Sequence, residues 1–430
     1  MAVRFGTFLE RLPINPATKA TALLSFGLVA NLMPSATFAA TIPAIDLAWE
    51  LQASEAGWIG GIYFAGYAAS VPVLASATDR LDGRWIYVGC SLLGAISSLA
   101  FAWADGFWVG LLLRFLSGVA LAGVQMPGLK LLADRSSGRA RARASAIYTA
   151  SYALGAAGSF LLAGVVEGIS GWRLTFVVSA IGPLLAVAAI PLLPAPSQAL
   201  PAIAISHDFR PILRDRALMA YVLAFAGNTW EVFAVRVWFV AYLTWILSLP
   251  GNDLSLPAPA VISGIASLIG FPVNIIIAEL TLRYGRRVIV ATCLFSVLVC
   301  VALAATAGGP IPVVLPLLVL VQITSIADVG ALTSGAVEAA GAARRGAALA
   351  VYAFSGYVTA FFGPVVAGIA LDQFGGARSP EGWTAAFAAI ALGSAVAAWA
   401  VGTVHPRSSS AQPTRNNTGS VRSRTERGPG

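Results

Sequence analysis

ALMAYVLAFAGNTWEVFAVRVWFVAYL, residues 217–243, is an apolar run of membrane length that nevertheless carries Asn228, Glu231 and Arg236. About 20 apolar residues in helical form cross a bilayer. An ionisable side chain inside such a run is costly, and it usually faces a water-filled path or a partner. At roughly 1.5 Å and 100° per residue, Arg236 falls about 7.5 Å along the axis from Glu231 and about 140° around it, with Asn228 angularly between them. The three are expected to form one broad polar face on a transmembrane helix.

The rest of the chain has the same character. Of 430 residues, 58% are hydrophobic and 11% charged, and the mean hydropathy is +0.80, a balance that belongs to an integral membrane protein. Long runs separated by short polar loops indicate helices, because a membrane barrel shows short segments alternating at period two. The formal charge is +8, but the basic residues are scattered among loops and the C-terminal tail, so nucleic acid is not expected as a partner. Cys90, Cys293 and Cys300 all fall within apolar runs and offer neither a disulfide framework nor a metal cluster. No GxxxxGK loop or HExxH pair occurs, and His207 and His405 lie outside the runs, so no enzyme, metal or cofactor is expected. The N-terminal residues have no compact apolar region with a small-residue cleavage site, so no cleavable signal is expected.

Runs near membrane length fall at residues 20–44, 57–78, 85–104, 107–129, 144–166 and 174–193, then at 217–243, 259–280, 288–307, 312–335, 347–371 and 385–403. The expected fold class is an all-α integral membrane protein of 12 transmembrane helices. Residues 1–19 form an N-terminal segment, 20–193 a first six-helix bundle, 194–216 a linker, 217–403 a second six-helix bundle and 404–430 a disordered tail. Twelve crossings put both termini on one side. Of the 27 Lys and Arg residues, 23 fall on that side, so both termini are expected to be cytoplasmic, in a bacterial inner (plasma) membrane. Lipid is the expected surrounding, and the chain is expected to act as a monomer.

The two halves repeat each other. AIYTASYALGAAGSFLLAG from Ala146 aligns without gaps on AVYAFSGYVTAFFGPVVAG from Ala350, pairing Tyr148 with Tyr352, Ser151 with Ser355 and Gly164 with Gly368. Asn31 in the first run occupies the place that Asn228 has in the seventh. Duplicated bundles commonly put a substrate site where they meet, near the midplane.

This organisation, and three local motifs, make the chain resemble a major facilitator superfamily transporter over nearly its whole length. The loop ASATDRLDGRW, residues 75–85, is similar to the family's charged loop between the second and third helices, with Asp79 and Arg80 as the acidic and basic pair and Gly83 and Arg84 as the turn. Ala75 stands where the family has glycine, Asp82 lengthens the spacer, and Trp85 replaces a basic residue. Its duplicate, AELTLRYGRRV, keeps Arg283, Gly285, Arg286 and Arg287. The resemblance implies gating roles for these loops; physically, such charged turns can pair at one mouth in one state and part in the other. In LLLRFLSGVALAGVQ, Arg114 followed by Gly118 is similar to a fourth-helix pattern linked to proton coupling, with interfacial anchoring as its structural alternative. The Gly155 to Gly164 stretch has no proline, and so lacks the glycine-proline motif frequent in the family's antiporters.

The expected function is therefore secondary active transport of a small solute by alternating access, driven by the proton gradient. A carboxylate removed from water favours its protonated form, which makes Glu231 and Asp328 candidate proton carriers beside Arg114. Arg236 offers a fixed charge and a planar fork suited to carboxylate or phosphate, so a small organic anion is the favoured substrate; the alternative is a structural ion pair between Arg236 and Glu231. Asn31, Asn228, Glu231, Arg236 and Gln322 are the candidate substrate ligands, with Gln125 and Thr324 as further neutral cavity groups. Proton-driven efflux of a drug-like or metabolic compound is the second reading, and a non-transporting membrane sensor or scaffold a remote third.

Overall fold

The computed structural model describes residues 15–78, 80–195, 210–252 and 254–403, without the side chains of residues 75, 342 and 343. Asp79, most of the expected linker and the C-terminal tail lie outside the described residues. Every regular element among those described is helical. In the first half these are α1 (Pro16–Asn31), α2 (Thr37–Trp49), α3 (Ala53–Ala77), α4 (Gly83–Phe101), α5 (Phe107–Ala133) and α6 (Gly138–Ala189). In the second they are α7 (Arg216–Leu247), α8 (Pro259–Tyr284), α9 (Arg287–Ala305), α10 (Ile311–Ala327), α11 (Val329–Gln373) and α12 (Pro380–Gly402).

These helices relate to the expected runs with three differences, each with a local cause. The first run is not continuous: residues 32–36 leave the helix between α1 and α2, at Pro34, which lacks an N–H and crowds the preceding turn. The fifth and sixth runs both belong to the 52-residue α6, which turns at Gly171 (φ 76, ψ 173), a conformation open to glycine. The tenth run changes helix at Asp328, between α10 and α11, and α11 itself turns at Gly341 (φ 66, ψ 173), so that its first segment completes the tenth run and its second carries the eleventh. Ten stretches among the described residues are long and apolar enough to cross a membrane. One of these, Gly138–Leu192, has 55 residues and folds at Gly171, enough for two crossings at about 20 residues each. The two pieces of the broken first run, 16 and 13 residues, each fall short of that length alone, so the fold is consistent with twelve crossings.

The duplication read in the sequence has a structural counterpart. Tyr148 of α6 donates its hydroxyl to the carbonyl oxygens of Val124 and Gln125 on α5, at 3.2 and 3.3 Å. Its sequence partner Tyr352, in the second segment of α11, shares a 3.0 Å hydroxyl hydrogen bond with Thr333 near the start of that helix. Both tyrosines are buried. An equivalent residue therefore ties the fifth crossing to the fourth and the eleventh to the tenth.

The main packings that join the halves are α3 against α11, α6 against α8 and α2 against α7, with a smaller contact of α3 against α7. The first is a backbone-to-backbone contact. A Cβ at Gly57 would stand 2.6 Å from the Pro364 carbonyl oxygen, and one at Gly61 would stand 2.3 Å from that of Phe361, so no larger residue fits without separating the helices. At the rim of the same contact, Asp372 accepts hydrogen bonds from the backbone N–H groups of Ala53 (2.9 Å) and Ser54 (2.8 Å). A carboxylate from one half thus caps the N-terminus of a helix in the other, where unpaired N–H groups and the helix dipole favour a negative charge. The two halves are joined at this end.

Replacing Asp372 with Asn should loosen that joint. Because such a rim contact contributes roughly 0.3–1 kcal/mol, a Val365→Cys reporter, buried beside Gly57, should react about two- to fivefold faster with a membrane-impermeant maleimide in the Asp372→Asn background. An unchanged labelling rate would show that the cap does not hold the halves together.

Candidate functional site

Where α2, α3, α5, α6 and α7 converge, a cavity of about 40 Å³ lies between the two halves. Two guanidinium groups line it, Arg114 from the first half and Arg236 from the second. Among the described residues neither forms a salt bridge.

Arg114 is 4% exposed and occupied by the break in the first run. Its Nη1 donates to the Pro34 carbonyl at 3.3 Å and its Nη2 to that of Ser35 at 3.0 Å, while the guanidinium lies 4.5 Å from the Tyr63 ring centroid. A helix interrupted inside a bilayer leaves carbonyls and N–H groups that no lipid can satisfy. Ser159 of α6 completes the repair, donating to the Met33 carbonyl at 2.5 Å and accepting from the Ala36 N–H at 2.9 Å. The sequence expectation of an interfacial anchor at Arg114 does not describe this geometry: its side chain points inward, onto irregular backbone.

Arg236 has a different environment. Its guanidinium lies 5.5 Å from the Phe233 ring centroid, and its Nε is buried without a hydrogen-bond partner. The alternative considered from the sequence, an ion pair with Glu231, is not formed. Phe233, Arg236 and Val237 line the cavity, whereas Glu231 turns into its own half and is fully buried. The single polar face expected for residues 228–236 is therefore divided: at about 100° per residue Arg236 lies about 140° from Glu231 and about 80° from Asn228, and the neighbours of α7 take Asn228 and Glu231 into the second half and leave Arg236 at the cavity.

The inward face carries a network of acids and neutral donors. Glu231 accepts from the hydroxyl of Ser296 on α9 at 2.5 Å and from that of Ser394 on α12, and Ser296 is linked to Thr324 at 2.8 Å. Ser394 reaches the carboxylate because α7 and α12 touch at Gly227 and Gly393, where a Cβ on either residue would stand 2.3 Å from the other's carbonyl oxygen. Asp328, 2% exposed, accepts from Asn228 Nδ2 at 2.6 Å and from Cys293 Sγ at 3.0 Å. Hydroxyl, thiol and amide donors face these carboxyls in place of a cation.

The remaining candidates lie apart from the cavity. Asn31 donates to the Gly27 carbonyl and the Tyr87 hydroxyl, at 2.8 and 3.4 Å, so it does not mirror Asn228 in chemistry. Gln125 accepts from Tyr67 at 2.9 Å, and the buried Gln322 donates to Ser267 at 2.9 Å. In the charged loops, Arg80 is exposed, Gly83 is buried and Asp82 caps α4 through the Arg84 N–H at 2.9 Å. Arg135 is buried below this loop, bonded to the Pro194 and Leu131 carbonyls; burial, and after it the positive charge of Arg84, draws its guanidinium below the ordinary arginine range. In the duplicate loop Arg283 pairs with Glu279 at 3.6 Å, Gly285 turns the chain at φ 71, and Arg286 and Arg287 flank the start of α9.

Sequence reasoning passed over the cavity-lining Ser35, Tyr63, Tyr152 and Phe233, and Ser159 as the clamp on the break. The signal for the break is the tetrapeptide LMPS at residues 32–35, a proline beside small and polar groups in mid-run. The aromatic residues sit in runs where such residues are common and carry no comparable signal.

Residues 24–354 match the family described as the Major Facilitator Superfamily. A hexuronate transporter of Bacillus subtilis is 24% identical over 392 residues, which cover 85% of this chain and 91% of the relative. A benzoate transport protein of Acinetobacter baylyi is 19% identical over 162 residues, 36% of this chain and 35% of the relative. Several other curated relatives are matched over less than half of their own length. In three dimensions the chain is similar, with TM-score 0.78 and 16% identity, to a bacterial homologue of the human lysosomal transporter spinster solved in an inward-facing, occupied conformation, over 91% of this chain and 98% of that one.

The two arginines should differ in what their removal does to stability. Arg114→Leu orphans two buried carbonyls, at about 1–3 kcal/mol each, and should lower the thermal midpoint of the detergent-purified protein by several degrees. Arg236→Leu removes a charge that has no acid partner, and should leave the midpoint unchanged or raise it. Equal losses in the two variants would contradict the separation of their roles.

Proposed function

The chain belongs to the Major Facilitator Superfamily and is a solute transporter, not an enzyme, and from that premise we propose that its substrate is a small organic anion exchanged between two mouths by alternating access. The observation that carries this reading is the pair of guanidiniums, Arg114 buried and Arg236 half-buried, one from each half, facing one cavity without an acid between them. Charges taken out of water are expensive unless they are neutralised. An anion entering between the halves supplies the missing charge, and a guanidinium fork suits a carboxylate. The same positive cavity disfavours cationic drugs. Hexuronate and benzoate, in the names of two relatives, are both carboxylates.

Arg236, which makes no salt bridge or hydrogen bond among the described residues, is the proposed anion ligand. Arg114 acts through the backbone at residues 34–35, which it holds against the cavity. Glu231 and Asp328 are the proposed proton carriers, because each sits among donors that tolerate a neutral acid as well as an ionised one. Asn228 bridges Asp328 to the backbone of Ser325 and belongs with this relay, away from the substrate. With both termini cytoplasmic, as the distribution of basic residues favours, the end joined through Asp372 faces outward. The loops bearing Arg80, Arg84, Arg283, Arg286 and Arg287 then stand at the opposite mouth, positioned to meet when it shuts.

In proteoliposomes carrying a labelled organic acid, Arg236→Ala should raise KM at least about tenfold, the loss of one charge-assisted pair; an unchanged KM at normal expression would remove Arg236 from the site. Glu231→Gln and Asp328→Asn should abolish accumulation driven by an imposed pH gradient while sparing exchange of labelled for unlabelled acid. Retained gradient-driven uptake in both variants would sink the proton-carrier assignment.

A further inference from the structure

The walls of the cavity between Arg114 and Arg236 narrow the kind of anion it suits. Phe38 of α2, Tyr63 and Phe64 of α3, Tyr152 and Phe160 of α6 and Phe233 of α7 all line it. Apart from the two guanidiniums, the polar side chains in the lining are the hydroxyl groups of Ser35, Tyr63 and Tyr152. No side-chain amide joins them, since Asn31, Gln125, Asn228 and Gln322 are bonded within their own halves.

This composition discriminates between carboxylates of similar charge. A sugar acid carries several hydroxyl groups on its ring, and each loses its water on entry and needs a replacement partner. Sites that select polyhydroxylated ligands meet that need with convergent polar groups, whereas this lining has six aromatic residues and three hydroxyl groups. A flat apolar ring makes no such demand and gains from stacked or edge contacts with the walls. Either ligand is larger than the cavity as it stands, so the walls must part to admit it. The cavity is about 40 Å³, and its walls meet where Phe64 and Phe233, from opposite halves, approach to 4.0 Å between ring centroids. A planar ring can enter by parting that pair.

The guanidiniums fix the orientation. Both Nε groups are buried without a partner, but Arg114 donates through both Nη atoms to carbonyls and lies over Tyr63, while Arg236 makes no hydrogen bond among the described residues and has the Phe233 ring beside it. We infer that the site binds a small aromatic carboxylate, its carboxylate on Arg236 and its ring among Phe64, Tyr152, Phe160 and Phe233, in preference to a sugar acid. This rests on the anionic-substrate reading above and departs from the better-covered relative, which is named for hexuronate.

The test uses the full chain in proteoliposomes, with labelled benzoate and labelled glucuronate as transported probes and unlabelled nicotinate, cyclohexanecarboxylate and benzamide as competitors. The expected result is saturable benzoate flux, competed at least about tenfold better by nicotinate than by cyclohexanecarboxylate or glucuronate. Phe233→Leu, which keeps an apolar side chain, should raise the KM for benzoate about fivefold or more with its thermal midpoint retained, and Phe160→Leu provides a second wall variant should that protein not fold. Saturable glucuronate flux with benzoate inert would overturn the aromatic inference and leave the anionic reading standing. Equal competition by cyclohexanecarboxylate would reduce the walls to a merely apolar surface and also overturn it. Competition by neutral benzamide equal to that by benzoate, together with an unchanged KM in Arg236→Ala, would overturn the anionic reading itself. Absence of saturable flux for either probe counts against the inference.

Discussion

Two hydrogen bonds from Arg114 to the carbonyls of Pro34 and Ser35 make the centre of this molecule possible. A helix broken in mid-membrane exposes backbone groups that hydrocarbon cannot satisfy, and the first run is broken at that depth. Arg114 from one helix and Ser159 from another supply the missing partners. The repair lets residues 35 and 36 leave the helical path and enter the cavity wall. It also commits both Nη atoms of one arginine to the protein itself, whereas Arg236 makes no hydrogen bond among the described residues and has the greater capacity to spare.

The seventh crossing then divides its labour by angle. One face of α7 gives Phe233, Arg236 and Val237 to the cavity between the halves. The other gives Asn228 and Glu231 to the interior of the second half, where they meet α9, α10 and α12. On the proposed reading, substrate chemistry and acid chemistry are thus separated by the thickness of one helix and share its rigid body. A change in the charge of Glu231 acts on the packing of α7 against α12, which is held at van der Waals limits by Gly227 and Gly393. Any resulting shift of α7 is felt directly by Arg236.

Much of this was legible in the sequence because the bilayer imposes strong constraints on composition. Run length, loop charge and the internal repeat carried the expectation of a helical bundle in two halves, and the helices and the repeat-related tyrosines Tyr148 and Tyr352 agree with it. The azimuth of each side chain was harder to read, since an angular spread of about 140° fits either one wide face or two opposed ones, and only the neighbours of α7 decide between them. Asn31 and Asn228 show the same limit: they hold equivalent places in the repeat, yet one bonds to a tyrosine and the other to an aspartate. The cavity's aromatic walls were not legible at all, because Phe64 and Phe160 resemble the many lipid-facing and packing aromatics of any membrane chain until the halves are brought together.

The placement of the two guanidiniums on opposite halves bears on how such a carrier cycles. When the halves close around the cavity, like charges are brought into a space of low dielectric constant, where their repulsion is far stronger than in water. On the anionic reading, a bound carboxylate offsets that repulsion, so the loaded protein occludes more readily than the empty one. The aromatic pair Phe64 and Phe233 works in the same sense, since it already bridges the halves and a ring inserted there keeps both faces covered. A ligand lowers the barrier to a conformational change only by interacting better with the intermediate state than with the starting one. An anion bridging two halves that otherwise repel each other meets that condition, whereas a neutral solute held by one half alone does not.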